Sequence, residues 1–133
     1  MTGETLVRFR GVLMGAAGAV CLLYAVLALA TGRPDPMHPL IPGLAGVGAS
    51  VAIFWAFGRA SSASRRQASD ETFRAEMNGA VKVGFWFAIA LYPIFAPFLN
   101  AGLTTFDVAF AAMGTLTAAV YLLTFAVQSL RGL

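Results

Sequence analysis

The chain has 133 residues, of which 59% are hydrophobic and only 11% are charged. A soluble globular domain carries roughly 25% charged residues, because charge covers its surface. The composition therefore excludes an ordinary soluble domain and predicts a membrane protein with the lipid bilayer as its main partner. The formal net charge of +3 comes from basic residues beside apolar runs, so we expect no nucleic-acid partner. Cys21 is the only cysteine, which excludes an intrachain disulfide.

Four apolar segments are each long enough to cross a bilayer, which takes about 20 mostly apolar residues. They cover about residues 11–30, 40–57, 80–99 and 106–127. Membrane-spanning strands would instead alternate apolar and polar residues over about 10 positions. The first segment exceeds the roughly 7–15 apolar residues of a cleaved signal peptide. The sequence therefore predicts an all-α membrane protein, with residues 1–133 forming one bundle of four transmembrane helices.

The basic residues are divided unequally between the two predicted sides of the membrane. Eight of the nine lie near the termini or near residues 59–79, and Arg33 lies alone on the other side. Because Lys and Arg concentrate in cytoplasmic loops, we expect both termini and the 59–79 loop in the cytoplasm. Trp55 and Trp86 fall near the predicted inner interface, where indole rings prefer to lie. The short outer loops favour a bacterial inner membrane, with an organelle membrane as the alternative.

The loop at residues 59–79 is the longest polar stretch of the chain. Its first half, residues 60–66, is small, polar and basic and is typical of a flexible connector. Ser69 then fits a helix N-cap, and Asp70 and Arg74 are spaced to pair on a helix surface. We expect the third transmembrane helix to begin near Asp70 as a cytoplasmic extension. The loop either only turns the chain or docks a partner or anionic lipid headgroups.

Small residues mark the faces on which helices approach closely in lipid, where hiding one apolar side chain against another gains little. The first, second and fourth spans carry such residues at helical spacing. The contacts are either within one chain or between chains, and we favour contacts within the chain. The candidate packing residues are Gly11, Gly15, Gly18, Gly43, Gly46, Ser50, Gly114 and Ala118.

The third span is aromatic and contains Pro93 and Pro97. Each proline removes a backbone N–H donor and clashes with the preceding turn, so we predict a kinked helix. The kink either opens a cavity for an apolar ligand or only shapes the bundle. Tyr92 and Asn100 are the nearest polar side chains.

Few residues in the predicted spans can do chemistry. Lys82 and Asp107 are the only charged residues within the apolar boundaries, and His38 is the only histidine. A single histidine excludes two-histidine haem ligation within the chain and leaves a metal site only if ligands are shared between chains. We therefore expect no enzyme, no metal and no cofactor. Asp107, Tyr92 and Asn100 remain the candidate functional polar residues.

These observations predict a small polytopic membrane protein that acts as a non-catalytic subunit or scaffold. Its expected partners are other membrane protein chains, in a homo-oligomer or a larger complex. One alternative is a small homo-oligomeric transporter or channel, which the predicted kink and the threonines near Asp107 would serve. The other is a protein that binds a lipid or an apolar cofactor against the aromatic third span.

Overall fold

The computed structural model describes residues 2–133, and within that range it has five α-helices and no β-strand. All helices except α3 are long and apolar enough to cross a membrane, which gives four candidate spans in the described part of the chain. The predicted all-α architecture with four long apolar helices is confirmed, as a multi-pass membrane protein requires. The helices are α1 (Gly3–Thr31), α2 (Leu40–Arg59), α3 (Ser62–Ala68), α4 (Glu71–Asn100) and α5 (Phe106–Arg131).

α1 and α5 form the most extensive helix pair, and glycines on α1 allow their close approach. A Cβ atom built on Gly18 would lie 3.0 Å from side-chain atoms of both Leu122 and Leu123. A Cβ on Gly11 would lie 3.1 Å from the side chain of Leu130. Because Gly11 and Gly18 have no side chain, the leucines of α5 can pack directly against the backbone of α1.

α4 packs on α5 through a hydrophobic cluster near the end of the bundle away from the chain termini. Its buried members are Leu91 and Phe95 from α4, with Ala109 and Ala112 from α5. The small alanines of α5 receive the large side chains of α4. As a result, α5 lies between α1 and α4 and contacts both.

α2 is attached to the bundle only loosely. Ala56, near its C-terminal end, is the one residue of this helix that is buried. It joins a cluster with Leu6 of α1, Ala68 of α3, and Ala60 just after α2. Phe57 is half-buried and packs against the same cluster, and the other residues of α2 are half-buried or exposed.

The segment between α2 and α4 differs from the sequence-based expectation. Residues 60–66 were predicted to be a flexible connector, which is wrong, because α3 occupies most of this segment. Ser61 begins α3 by accepting a hydrogen bond from the backbone N–H of Ser64 at 3.2 Å. Ser69 was predicted to cap the next helix, but it ends α3 instead. Asp70 is the N-cap of α4, and its Oδ1 accepts from the N–H of Phe73 at 3.1 Å.

The surface pair predicted between Asp70 and Arg74 does not form. Among residues 2–133, the one ion pair is between Arg8 and Glu4, at 3.2 Å. The Asp70 carboxylate serves the helix terminus instead, where an N-cap side chain satisfies an unpaired N–H. α4 begins at Glu71, as expected for a helix starting near Asp70, and continues as α-helix through both internal prolines. The kink at those prolines stays a prediction.

Candidate functional site

Arg10 is a charged side chain buried inside the bundle, at the end where both chain termini lie. Only 4% of it is exposed, although arginine is almost never fully buried unless it is paired. Its Nη1 donates a hydrogen bond of 3.0 Å to the carbonyl oxygen of Ala68, the last residue of α3. Its Cζ lies 4.1 Å from the centroid of the Phe73 ring. The Phe125 and Phe57 rings are 5.5 Å and 5.8 Å away.

These contacts connect all five helices of the described chain. Arg10 belongs to α1, its hydrogen bond reaches α3, and the three rings belong to α2, α4 and α5. A guanidinium suits this position because it is planar, weakly hydrated and able to stack on aromatic faces, whereas an ammonium is compact and strongly hydrated. Its Nε is buried and has no hydrogen-bond partner among residues 2–133. We call Arg10 with Phe57, Phe73 and Phe125 the arginine cage.

A pocket of about 300 Å³ lies beside the arginine cage and contains three carboxylates, from Glu4, Asp70 and Glu76. Each has a local partner. Glu4 accepts from Arg8, Asp70 caps α4, and Glu76 Oε2 accepts from the Ser129 hydroxyl at 2.8 Å. No group of His, Cys, Asp or Glu that could hold a metal ion occurs in the described residues. The hydrogen bond between Ser129 and Glu76 connects α5 to α4, and the one between Arg10 and Ala68 connects α1 to α3.

The three candidate polar residues of the sequence analysis come together at the opposite end of the bundle. Tyr92, Asn100 and Asp107 line one groove of about 570 Å³ between α4 and α5. Phe106 and Phe110 line it as well and are largely exposed. We call this the α4–α5 groove. The short connection between the two helices brings the end of α4 and the start of α5 together there.

Asp107 also faces a second groove, of about 520 Å³, on the other side of α5. Pro34, Pro39 and Thr115 are part of its lining. The Tyr24 hydroxyl donates a hydrogen bond of 2.7 Å to the carbonyl oxygen of Pro34, which holds the α1–α2 connection near α1. Within the part of the chain that is described, the Asp107 carboxylate has neither an ion pair nor a side-chain hydrogen bond.

The candidate packing residues fall into two groups. Gly11, Gly15 and Gly18 face α5, and a Cβ on Gly15 would lie 3.4 Å from the Cβ of Ala126. The others lack close neighbours or are only partly covered. A Cβ on Gly43, Gly46 or Gly114 would meet no heavy atom within 4 Å, the Ser50 hydroxyl donates to the Gly46 carbonyl oxygen of its own helix, and Ala118 is half-buried.

The sequence analysis treated Arg10 only as a cytoplasmic charge and missed the arginine cage. One local signal was present. Arg10 lies four residues after Leu6 and one before Gly11, on the face of α1 that is buried, whereas Arg8 lies on the exposed face. Lys82 and His38 are both exposed, and His38 Nδ1 accepts from the backbone N–H of Leu40 at 3.3 Å.

No protein-family model matches this sequence, and no curated protein or solved structure matches it either. The function proposed for the chain therefore rests on its own residues and their geometry.

Proposed function

We propose that the chain is a non-catalytic subunit or scaffold of a membrane assembly and binds its partner chains through α2. The supporting observation is the contrast between α2 and the other three long helices. α2 buries one residue, whereas α1, α4 and α5 each bury at least four. Its exposed surface includes Val47, Val51 and Phe54, the last with 78% of its area exposed.

Small residues on α2 give this exposed surface a way to bind another helix. Gly43, Gly46 and Ser50 form one stripe along the helix, because residues three and four positions apart lie on the same face. In lipid, such residues let two backbones approach closely enough for van der Waals contact. On α1, Gly11 and Gly18 serve this purpose against α5. On α2, a Cβ on Gly43 or Gly46 would meet no heavy atom within 4 Å among residues 2–133, so we assign this stripe to another chain.

The proposal includes an orientation. We place both termini and α3 in the cytoplasm of a bacterial cell, with the four long helices in the inner membrane. Supporting this, Arg59, Arg65 and Arg66 are exposed at the end that also carries the termini, and positive charge favours the cytoplasmic side. The Cζ of Arg59 lies 4.4 Å from the centroid of the Trp55 ring, and such a pair suits a membrane interface.

The mass of the particle extracted in a mild detergent tests the proposal. One chain has a mass of 13.9 kDa, so native mass spectrometry separates a lone chain from an assembly. We expect an assembly for the wild type and release of single chains for Gly46→Leu, because the leucine side chain would prevent close approach on that stripe. Gly48→Leu is the matched control, since a Cβ on Gly48 would also meet no heavy atom within 4 Å among residues 2–133, but Gly48 lies on another part of the helix surface.

Two results would contradict the proposal. A wild-type protein that is a single chain under every mild extraction condition has no assembly to support. An assembly that survives Gly46→Leu as well as it survives Gly48→Leu does not use this stripe of α2.

A further inference from the structure

The α4–α5 groove combines a carboxylate with aromatic walls. Asp107 supplies the only formal charge among its lining residues, and Tyr92, Phe95, Phe106 and Phe110 supply aromatic rings. Phe110 and Tyr92 have 83% and 73% of their surface exposed, so these two rings do not fill the core, whereas Phe95 belongs to the buried cluster between α4 and α5. The amide of Asn100 adds one neutral polar group.

From this combination we infer that the α4–α5 groove binds a substituted ammonium group carrying an apolar chain. The aromatic faces attract a cation through their quadrupoles, and the carboxylate provides the opposite charge. The volume of about 570 Å³ lies within the roughly 300–1,000 Å³ of small-molecule sites. This inference does not depend on the proposed role of α2, because the groove is formed by α4 and α5.

Charge complementarity selects this class of ligand over others. An anion would meet the Asp107 carboxylate without a basic side chain in the lining. An inorganic cation such as Mg²⁺ or Ca²⁺ needs about 6 or more oxygen ligands, and the polar side chains that line the groove are one carboxylate, one amide and one tyrosine hydroxyl, from Asp107, Asn100 and Tyr92. A neutral apolar molecule would make no use of the Asp107 carboxylate, which is exposed at the start of α5.

The chain itself does not supply a cation to Asp107. Arg33 is the basic residue of the α1–α2 connection, at the same end of the bundle, yet it does not line the α4–α5 groove or pair with Asp107. Asp107 also lies in the first turn of α5, where a carboxylate stabilises the helix terminus. That role needs no groove, so the experiment must separate helix stabilisation from ligand binding.

Binding of dodecyltrimethylammonium to the full chain in dodecyl maltoside micelles tests the inference. Isothermal titration gives the affinity, and native mass spectrometry gives the number of molecules bound. We expect one molecule per chain, and we expect Asp107→Asn to weaken binding by up to about fivefold, the loss of one Coulombic contact between an exposed carboxylate and a cation. Asp35→Asn is the matched control, because Asp35 lies in the α1–α2 connection at the same end and outside the groove lining.

A second pair of variants tests the aromatic wall. Phe110→Leu keeps an apolar side chain but removes the ring, and we expect it to weaken binding by about threefold to tenfold, in the range of a cation–π contact. Phe54→Leu is the control, because Phe54 is similarly exposed but belongs to α2. Asp107→Glu keeps the charge and should retain most of the binding, and circular dichroism of each variant checks that the helices remain folded.

Two phospholipids identify the source of the ammonium group. If phosphatidylethanolamine displaces the probe and this displacement is lost with Asp107→Asn, the ligand is a lipid headgroup. If it does not displace an Asp107-dependent probe, the ligand is a free amphipathic amine. Phosphatidylglycerol, which has no ammonium group, should not compete in either case. The inference is overturned if folded Asp107→Asn binds the probe as tightly as the wild type, or if 1-dodecanol competes equally well.

Discussion

The guanidinium of Arg10 is stacked on the Phe73 ring, with 4.1 Å between Cζ and the ring centroid. The two residues are far apart in the sequence and stand near the starts of α1 and α4. A cation desolvated against an aromatic face contributes up to about 2 kcal/mol, and a hydrogen bond to a charged group contributes about 1.5–3 kcal/mol. Arg10 makes both kinds of contact, with the Phe73 ring and with the carbonyl oxygen of Ala68. We therefore expect Arg10 to stabilise the packing of α3 and α4 on α1.

We expect Arg10→Lys to destabilise the fold by about 1–3 kcal/mol, because an ammonium cannot stack on Phe73 in the same way and is harder to desolvate. The midpoint of unfolding in mixed dodecyl maltoside and SDS micelles, followed by circular dichroism, measures this loss. Arg8→Lys is the control, since Arg8 is exposed and pairs only with Glu4 one turn earlier. Equal effects of the two substitutions would show that burial of Arg10 does not matter for stability.

Removing the ring of Phe73 should release α3 without unfolding the bundle. In Phe73→Leu, most of the apolar volume remains, but the cation–π contact with Arg10 is lost, at a cost of about 0.5–2 kcal/mol, together with the edge contact to Phe125. Because Arg10 also holds the carbonyl of Ala68, we expect faster amide hydrogen exchange in residues 62–68. Phe85→Leu, at an exposed position of the same helix, should leave exchange in α3 unchanged. Unaltered exchange in Phe73→Leu would separate the ring contact from the docking of α3.

The same glycine-to-alanine change should have opposite effects on α1 and α5. In Gly18→Ala, the new methyl group would lie 3.0 Å from the side chains of Leu122 and Leu123. Overpacking of this kind costs about 1–3 kcal/mol. In Gly114→Ala, the methyl group meets no neighbour within 4 Å, and we expect stabilisation by about 0.5–1 kcal/mol from the higher helix propensity of alanine. Unfolding in SDS measures both variants, and a stabilised Gly18→Ala would contradict the close packing of α1 on α5.

Replacing Ser129 by alanine should destabilise the fold more than replacing Ser50, because the two hydroxyl groups have different hydrogen-bond partners. Ser129 is 1% exposed, and its hydroxyl donates to the Glu76 carboxylate at 2.8 Å. We expect Ser129→Ala to destabilise the fold by about 1–3 kcal/mol, because the half-buried Glu76 carboxylate loses a charge-assisted hydrogen bond. Ser50→Ala removes only an exposed bond within α2 and should change stability by less than about 0.5 kcal/mol. Similar losses for both would show that the Glu76 contact contributes little.

The four long helices could be predicted because span length and apolar composition are local properties of the sequence. The start of α4 was also predictable, since Asp70 is followed by a first turn that its side chain can cap. α3 was missed because a seven-residue helix has no apolar run, and its order depends on Ala68 packing against Leu6 and Ala56. Contacts of that kind come from residues distant in the sequence.

The two candidate sites were predictable to different degrees. Tyr92, Asn100 and Asp107 were singled out by residue type, and the short α4–α5 connection explains why they share a groove. The arginine cage was not accessible in this way, because charge alone places Arg10 at a membrane surface. The spacing of Arg10 from Leu6 and Gly11 was the one local sign that Arg10 faces inward while Arg8 faces outward, and the tertiary packing of α1 was needed to recognise it.

The central position of α5 has a consequence for how the protein is made. α1 and α4 each pack along α5, while close approaches of the α1 and α4 backbones to one another are few. α5 also follows the other helices in the chain, so it leaves the ribosome after them. Until it enters the membrane, α1 and α4 lack the surface on which they pack, and Arg10 lacks the Phe125 ring. The tertiary structure of the bundle can therefore form only after α5 has been synthesised and has entered the membrane.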